Sequence, residues 1–439
     1  MNNIVKNDNI AQISSLSHDG RGIAIIQHKT TFIEGALPNE IITYQMVRKR
    51  THYNEAKIID IIQQAAERVK PPCPHFDLCG GCSLQHLHAE AQLMFKQQTV
   101  LNQLKHIGRV TPEYVMPPLT AHTIGYRRKA RLGVKFVTKK NKLLVGFREK
   151  SSRYLADLDQ CIILHPHIGL HLQTLGRFIA SLAIYQAIPQ VEVAMGDHEI
   201  ALVFRHLLPL SLLDKEKFIT FGQQHGFHIY LQPHSPASIE KIWPDDNKQE
   251  LTYSLPDQQI EFLFHPLDFT QINLEANRLM VNKAIELLDL NTNDSVLDLF
   301  CGIGNFTLPI ARYTKSVTGI EGHAAMIARA KKNAEHNHIQ NTHFYVANLE
   351  NPVEPQNALW LNQSYDKILV DPPRVGAKEI LMHCKPARRL VYVSCHSATL
   401  ARDAEILSYQ LGYQLKKIGI INMFPHTSHI ETIAVFDQV

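Results

Sequence analysis

The stretch V-L-D-L-F-C-G-I-G-N-F-T-L-P, residues 296–309, limits what this chain can fold into more than any other. Val296, Leu297 and Leu299 surround one acid, Asp298, and read as a buried strand ending at Phe300. Gly302 and Gly304 then make a tight turn into a helix predicted to run to about Tyr313. Without side chains, the two glycines let the backbone approach a ligand closely, and the open N-terminus of the helix offers unpaired N–H groups to its polar part. Roughly twenty residues on, V-T-G-I-E-G ends a second strand at Glu321, where ribose hydroxyls lie in a doubly wound sheet. A dinucleotide fold shows G-x-G-x-x-G, but here Thr307 takes the third glycine's place and no basic residue follows to hold a pyrophosphate. The spacing favours an adenosine ligand without phosphates, which S-adenosylmethionine fits. A dinucleotide fold and an ordinary strand-turn-helix stay open as alternatives.

A chain of 439 residues suggests roughly three domains, each large enough for its own core. No apolar run reaches the roughly 20 residues of a membrane helix, and the start, M-N-N-I-V-K-N-D-N-I, is too polar for a secretory signal. The expectation is a cytoplasmic protein with no membrane partner. A net charge of +4 argues against a wholesale polyanion coat but allows local basic surfaces. Seven cysteines are an odd number, one cluster plus isolated singles, unlike a secreted disulfide framework.

From 13 to 69 the text is short β-type runs broken by turn residues, the rhythm of a small OB-type barrel. D-G-R-G, followed after Gly22 by G-A-L-P-N-E, resembles the TRAM domain, an RNA-binding barrel attached to RNA-modifying enzymes. Arg48, Lys49 and Arg50 suit a phosphate-facing rim or a solvated strand edge. After Pro71 and Pro72 comes C-P-H-F-D-L-C-G-G-C, carrying Cys73, Cys79 and Cys82, a spacing that asks for a metal. Cys161 is a plausible distant fourth ligand, and four thiolates serve zinc or an iron-sulfur cluster. A second C-x2-C, usual for zinc, is absent, which favours a 4Fe-4S cluster.

Residues 90–104 have helical spacing. In G-Y-R-R-K-A-R-L-G-V, residues 125–134, Arg127, Arg128, Lys129 and Arg131 crowd Tyr126 on a predicted strand. They read as an RNA backbone contact with a base stacked nearby, or as a solvated basic face. Lys135, Lys139, Lys140, Lys142, Arg148, Lys150 and Arg153 extend the basic zone. Residues 165–255 carry no readable motif. H-P-L-D-F-T-Q-I-N-L-E-A-N opens the last unit with Gln271 and Asn273 before a helix, and later strands end at Asn348 and Asp371, the latter held by Pro372 and Pro373. L-V-Y-V-S-C delivers Cys395 to the same sheet edge, where open α/β sheets keep their ligands. Cys301 and Cys384 are left structural.

Together, C-x5-C-x2-C with a distant fourth cysteine, F-T-Q-I-N, V-L-D-L-F-C-G-I-G-N-F, I-E-G, N-L-E, D-P-P-R, V-S-C and P-H-T-S-H-I-E-T resemble the RNA uracil-C5 methyltransferase family, over nearly the whole chain. Barrel and cluster together point to members acting on 23S ribosomal RNA. The resemblance implies a TRAM barrel at 1–70, a central iron-sulfur and RNA-binding domain at 71–260 (with residues near 90–122 packing on the catalytic domain), and a Rossmann-like α/β methyltransferase domain at 261–439. It implies S-adenosylmethionine held by Gln271, Phe300, Asn305, Glu321, Asn348 and Asp371, a 4Fe-4S cluster on Cys73, Cys79, Cys82 and Cys161, Cys395 as nucleophile and Glu431 as general base. The chemistry implied is 5-methyluridine formation by a monomer through a Cys–C6 adduct. The family pattern continues with Asn-Pro after the nucleophile, where this chain has His396 and Ser397. A radical S-adenosylmethionine enzyme would need C-x3-C-x2-C, which is missing, and a purely RNA-binding assembly factor would not need Cys395 and Glu431.

Overall fold

The computed structural model describes residues 9–439, so most of the polar opening read above for a signal, residues 1–8, lies outside the described residues. The chain divides into two units: Met1–Thr99 with Phe424–His429, and Val100–Met423 with Ile430–Val439.

In the first unit the sheet order runs Ile10–Gln12, Ile41–Lys49, Asn54–Gln63, Lys29–Glu34, Gly22–Ile26, Ser15–Leu16. The two outermost members are halves of one bent strand, separated only by Ile13 and Ser14, so the sheet closes on itself with five strands. Its alternating inward residues, among them Ile33, Ile42, Tyr44 and Ala56, form the core. The two glycine motifs meet there, since a Cβ on Gly22 would lie 2.9 Å from the Cβ of Ala36. Glu40 is fully buried, and its carboxylate accepts from the Leu37 amide at 2.8 Å and from Arg68 Nη2 at 2.8 Å, which satisfies a charge otherwise costly to bury.

The second unit holds two large sheets. The central one has the order Glu240–Trp243, His228–Gln232, Ile200–Arg205, Gln190–Met195, Lys129–Val137, Lys142–Gly146, and so gives structure to the stretch 165–255 that carries no motif. The helix Leu212–His225, capped by Ser211 on the Asp214 amide, makes the crossover between its parallel pair. Phe178, Phe204, Phe218 and Phe221 pack that helix and Leu172–Ala180 against the sheet.

The larger sheet has the order Thr342–Val346, Ser316–Glu321, Ser295–Leu299, Lys367–Val370, Arg389–Ser394, Glu431–Gln438, Tyr413–Ile421, Tyr114–Val115. Its first five strands are parallel and Glu431–Gln438 returns antiparallel, a Rossmann-like methyltransferase arrangement. Val296, Leu297 and Leu299 are buried on both faces, as expected of a parallel strand covered by helices. Leu299 pairs with Ile320 and Val370, and Val370 with Tyr392, so the strand ends align along one edge. Among the described residues no helix is long and apolar enough to cross a membrane.

The close fit of this sheet to its covering layer is testable at Gly319, where a Cβ would lie 2.9 Å from the Phe344 ring and 3.0 Å from Cys301 Sγ. Gly319→Ala should lower unfolding free energy in urea by about 1–3 kcal/mol. An unchanged midpoint would mean that the layer yields freely.

Candidate active site

At the end of Ser295–Leu299 the backbone turns through Phe300, which has φ +65°, and through Gly302 (+56°) and Gly304 (+92°). A left-handed phenylalanine is uncommon and held only where the surroundings enforce it. Here the Cys301 amide donates to Ile320 O at 3.0 Å and locks the turn to the neighbouring strand. A Cβ on Gly302 would meet nothing nearer than Met326 Cε at 3.9 Å, so the turn faces open space of the kind a ligand fills. The Glu321 carboxylate accepts from the Gly302 amide at 3.3 Å and from the His323 amide at 3.0 Å, which fixes it beside that space. These features fit an adenosine-type cofactor.

Thr307, in the third glycine's place, donates its hydroxyl to Asp298 Oδ2. Asp298 Oδ1 has no partner among the described groups, and burial, reinforced by Asp371 and Glu321, pushes this carboxyl up to about 8 despite the Thr307 bond. Asn305 forms a reciprocal amide pair with Asn277, both bonds 3.0 Å, and accepts from the Tyr253 hydroxyl at 3.0 Å. Gln271 lines a small cavity together with Tyr253 and Asn277. Asn348 lies just past the strand Thr342–Val346, its Oδ1 accepting from the Glu350 amide at 3.0 Å.

Cys395 and Glu431 come together through strand register. Ser394 pairs with Thr432 in the antiparallel ladder, and the Thr432 hydroxyl donates to Ser394 O at 3.1 Å. One residue further along each strand, Cys395 and Glu431 stand at the same sheet edge. Asp371, whose amide donates to Leu299 O at 3.2 Å, ends the strand beside them. The consequence is a crowd of acids. Burial raises the Glu431 carboxyl well above the carboxylate range, with Asp371 adding to it, and burial alone brings Asp371 to about 7. The Cys395 thiol is pushed up to about 11 by burial first, then by Glu431 and Asp371, while Arg374 opposes.

The D-P-P-R loop is held from the helix Ser397–Tyr409. Thr399 Oγ1 donates to Arg374 O at 3.2 Å and Arg402 Nη2 to Val375 O at 2.8 Å. The buried Asp403 accepts from the Ala377 amide and from the Tyr392 hydroxyl, each at 2.7 Å. At the departure from the family pattern, His396 is the N-cap of this helix, its ring accepting from the Thr399 amide at 3.3 Å.

At Tyr126, Arg128 and Lys129 the basic run differs from both readings of it, while Arg131 is exposed and paired with Glu192. Tyr126 is buried and offers no face to a base. Arg128 donates to Gly196 O at 2.6 Å and pairs with Asp197 at 3.6 Å. Lys129 donates to Asp268 O, and burial lowers its ammonium to about 8. Arg128 and Lys129 are thus structural cations, and the Arg128 amide donates to Ile272 O at 2.8 Å, tying the run to the F-T-Q-I-N segment.

Of the cysteines, none forms a disulfide. In the first unit, Cys79 Sγ accepts from the Gly81 amide at 3.4 Å and the Cys73 amide donates to Gln85 Oε1 at 3.0 Å. In the second unit, Cys161 is buried, its amide donating to Gly169 O at 2.8 Å. Among the described residues no group of three or more His, Cys, Asp or Glu is assembled to hold a metal ion. Sequence reasoning missed Tyr253, Asn277 and Asp403, although Asn277 lies one helical turn beyond the cap Asn273, a spacing that puts both on one helix face.

Comparison with known proteins places the chain in a family. The family model described as tRNA (Uracil-5-)-methyltransferase matches residues 222–438. The chain is 48% identical over 436 residues to the 23S rRNA (uracil(1939)-C(5))-methyltransferase RlmD of Francisella tularensis subsp. novicida, covering 98% of this chain and 96% of that one. It is 49% identical over 431 residues to the RlmD of Nitrosococcus oceani, with the same coverage of 98% and 96%. Among solved structures, the Pyrococcus abyssi tRNA (uracil-54, C5)-methyltransferase in complex with S-adenosyl-L-homocysteine matches with a TM-score of 0.74 and 25% identity, over 97% of this chain and 100% of that one. With relatives this similar over nearly its full length, the chain belongs to the RlmD family of RNA (uracil-C5)-methyltransferases.

Proposed function

We propose that this protein methylates C5 of a uracil in 23S ribosomal RNA using S-adenosylmethionine. The observation that carries the reading is the register that brings Cys395 and Glu431 to one edge beside Asp371. Cofactor binding falls to Gln271, Phe300, Asn305, Glu321, Asn348 and Asp371, around the turn whose open face lies at Gly302. When bound, S-adenosylmethionine supplies the electrophilic methyl group that ends on C5.

The chain's own residues do the rest. Cys395, once deprotonated, adds through sulfur to C6 of a uracil taken out of its stack, and the ring becomes an enolate with nucleophilic character at C5. When C5 carries both a methyl group and its original hydrogen, Glu431 removes that hydrogen as a proton, the C5–C6 double bond re-forms and the thiolate leaves. The protein works as a cytoplasmic monomer on ribosomal RNA, with the closed five-stranded sheet of the first unit as a TRAM-type RNA-binding barrel.

We also propose a 4Fe-4S cluster on Cys73, Cys79, Cys82 and Cys161. Support comes from the donor chemistry: three thiols on one glycine-broken loop, with the Gly81 N–H directed at Cys79 sulfur, an interaction that favours the thiolate. Held by these four thiolates, such a cluster would supply a structural cross-link.

Three experiments test this reading. Anaerobically purified protein should contain about four irons per chain; stoichiometric zinc without iron would remove the cluster. On a denaturing gel with ribosomal RNA and methyl-labelled cofactor, Cys395→Ala should form no adduct. Glu431→Gln should accumulate a labelled, methylated protein–RNA complex, because only the last proton transfer is blocked. Normal product release by Glu431→Gln would take that residue out of the mechanism. Finally, Glu431→Gln removes a negative neighbour that penalises the thiolate, so the alkylation of Cys395 by iodoacetamide should reach its midpoint at a lower pH than in the wild type, yet above that of an ordinary thiol because burial remains. A midpoint that stays put or rises would show that Glu431 exerts no field on the thiol.

A further inference from the structure

Apart from Arg128 and Lys129, which are engaged internally, the second unit gathers a group of cations around an open cleft on the central sheet. Its floor is Val134 and Leu144, from the strands Lys129–Val137 and Lys142–Gly146, with Pro189 beside them. Its wall is the short hairpin F-R-E-K-S-S-R-Y-L, residues 147–155. The hairpin is rigid: the Glu149 amide donates to Tyr154 O at 2.9 Å, the Ala156 amide to Phe147 O at 2.9 Å, and a Cβ on Gly133 would lie 2.7 Å from Leu155 Cδ2. The cleft is therefore preformed.

Its chemistry is two-sided. Tyr154 stands 63% exposed at the mouth, with the Arg153 guanidinium 5.6 Å from its ring centre, and the Phe147 ring lies deeper with Arg127 at 5.7 Å. Around the rim, Arg131 is paired with Glu192 at 3.0 Å and Lys140 with Asp157 at 3.2 Å. Lys135, Arg148 and Arg153 make no ion pair among the described residues, and Glu149 is the one acid of the lining. An apolar floor with aromatic faces and a cationic rim suits a flat ring carrying a phosphate. No nucleophile and no pair of acids lines it, so it binds without reacting.

We propose that this cleft is a second RNA subsite, taking one unpaired nucleotide of the substrate strand by stacking on Tyr154, with Arg148 and Arg153 on its phosphates. It rests on the RNA substrate proposed above and shares no residue with the Cys395 site. An unpaired nucleotide is favoured over a duplex because base pairs hide the ring faces that Tyr154 and Phe147 would meet.

The test uses the full chain and fluorescence anisotropy over a salt series, with an RNA hairpin that has an unpaired loop and with its blunt duplex stem. Tyr154→Ala should weaken hairpin binding about tenfold without changing the salt slope, and Tyr154→Phe should restore it. Arg148→Ala and Arg153→Ala should each flatten the slope by about 0.7. Blunt duplex binding should ignore Tyr154→Ala. Unchanged hairpin affinity in Tyr154→Ala, or an equal loss on the duplex, would overturn the subsite. So would saturable binding of uridine monophosphate that Tyr154→Ala abolishes while RNA affinity is kept, since the cleft would then serve a free nucleotide. Methyl transfer by the wild type is scored in parallel. Tyr154-dependent RNA binding without methylation would sink the uracil reaction and leave the subsite standing.

Discussion

The antiparallel register of Arg389–Ser394 against Glu431–Gln438 is the constraint on which the site depends. A slip of one residue would send every side chain of the returning strand to the opposite face and carry Glu431 away from Cys395. Several bonds resist such a slip. Thr432 is fully buried with its hydroxyl on Ser394 O, and at the strand's other end Asp437 holds Arg389 at 2.7 Å. On the parallel side, Val370 against Tyr392 sets how far Asp371 projects. A thiol and two carboxyl groups thus meet because three strands are in step, and no one loop has to find its position alone.

Two kinds of buried acid serve this architecture. Asp403 and Glu40 are surrounded by donors, and each ties separate pieces of chain together. Asp371, Glu431 and Asp298 are instead buried with their ionisation penalised. The first kind holds structure. The second holds its protons to higher pH than an exposed carboxyl does, as perturbed acids gathered at one sheet edge often do in functional sites. The same burial and crowding that raise the Glu431 carboxyl make the Cys395 thiolate expensive, so the two groups share one electrostatic environment.

Strand ends were legible in the sequence because an apolar run closed by one polar residue has few other readings, and Glu321, Asp371 and Cys395 fall at or just beyond such ends. The meeting of Cys395 with Glu431 was not legible from spacing. It depends on the pairing of non-adjacent segments, and only the resemblance supplied it. Tyr253 gave no signal because its role is a single hydroxyl bond to Asn305 from a stretch without motif. Arg128 and Lys129 misled for a physical reason: a cation in sequence looks the same whether it meets phosphate or a buried carbonyl. Burial alone separates Lys129, bonded to Asp268 O, from Arg148 on the exposed hairpin.

The departure at His396 and Ser397 shows how far a motif can change while its geometry holds. An asparagine in that place would cap the helix with its side-chain oxygen, and a proline would occupy the first helical position, where no backbone N–H is needed. His396 reaches the same Thr399 amide with a ring nitrogen, and Ser397 starts the helix in proline's place. The helix therefore begins at the residue that brings Thr399, Arg402 and Asp403 to the D-P-P-R loop. What the site requires of these two positions is a helix start immediately after Cys395, and that requirement is met by hydrogen-bond geometry, whichever side chain provides the acceptor.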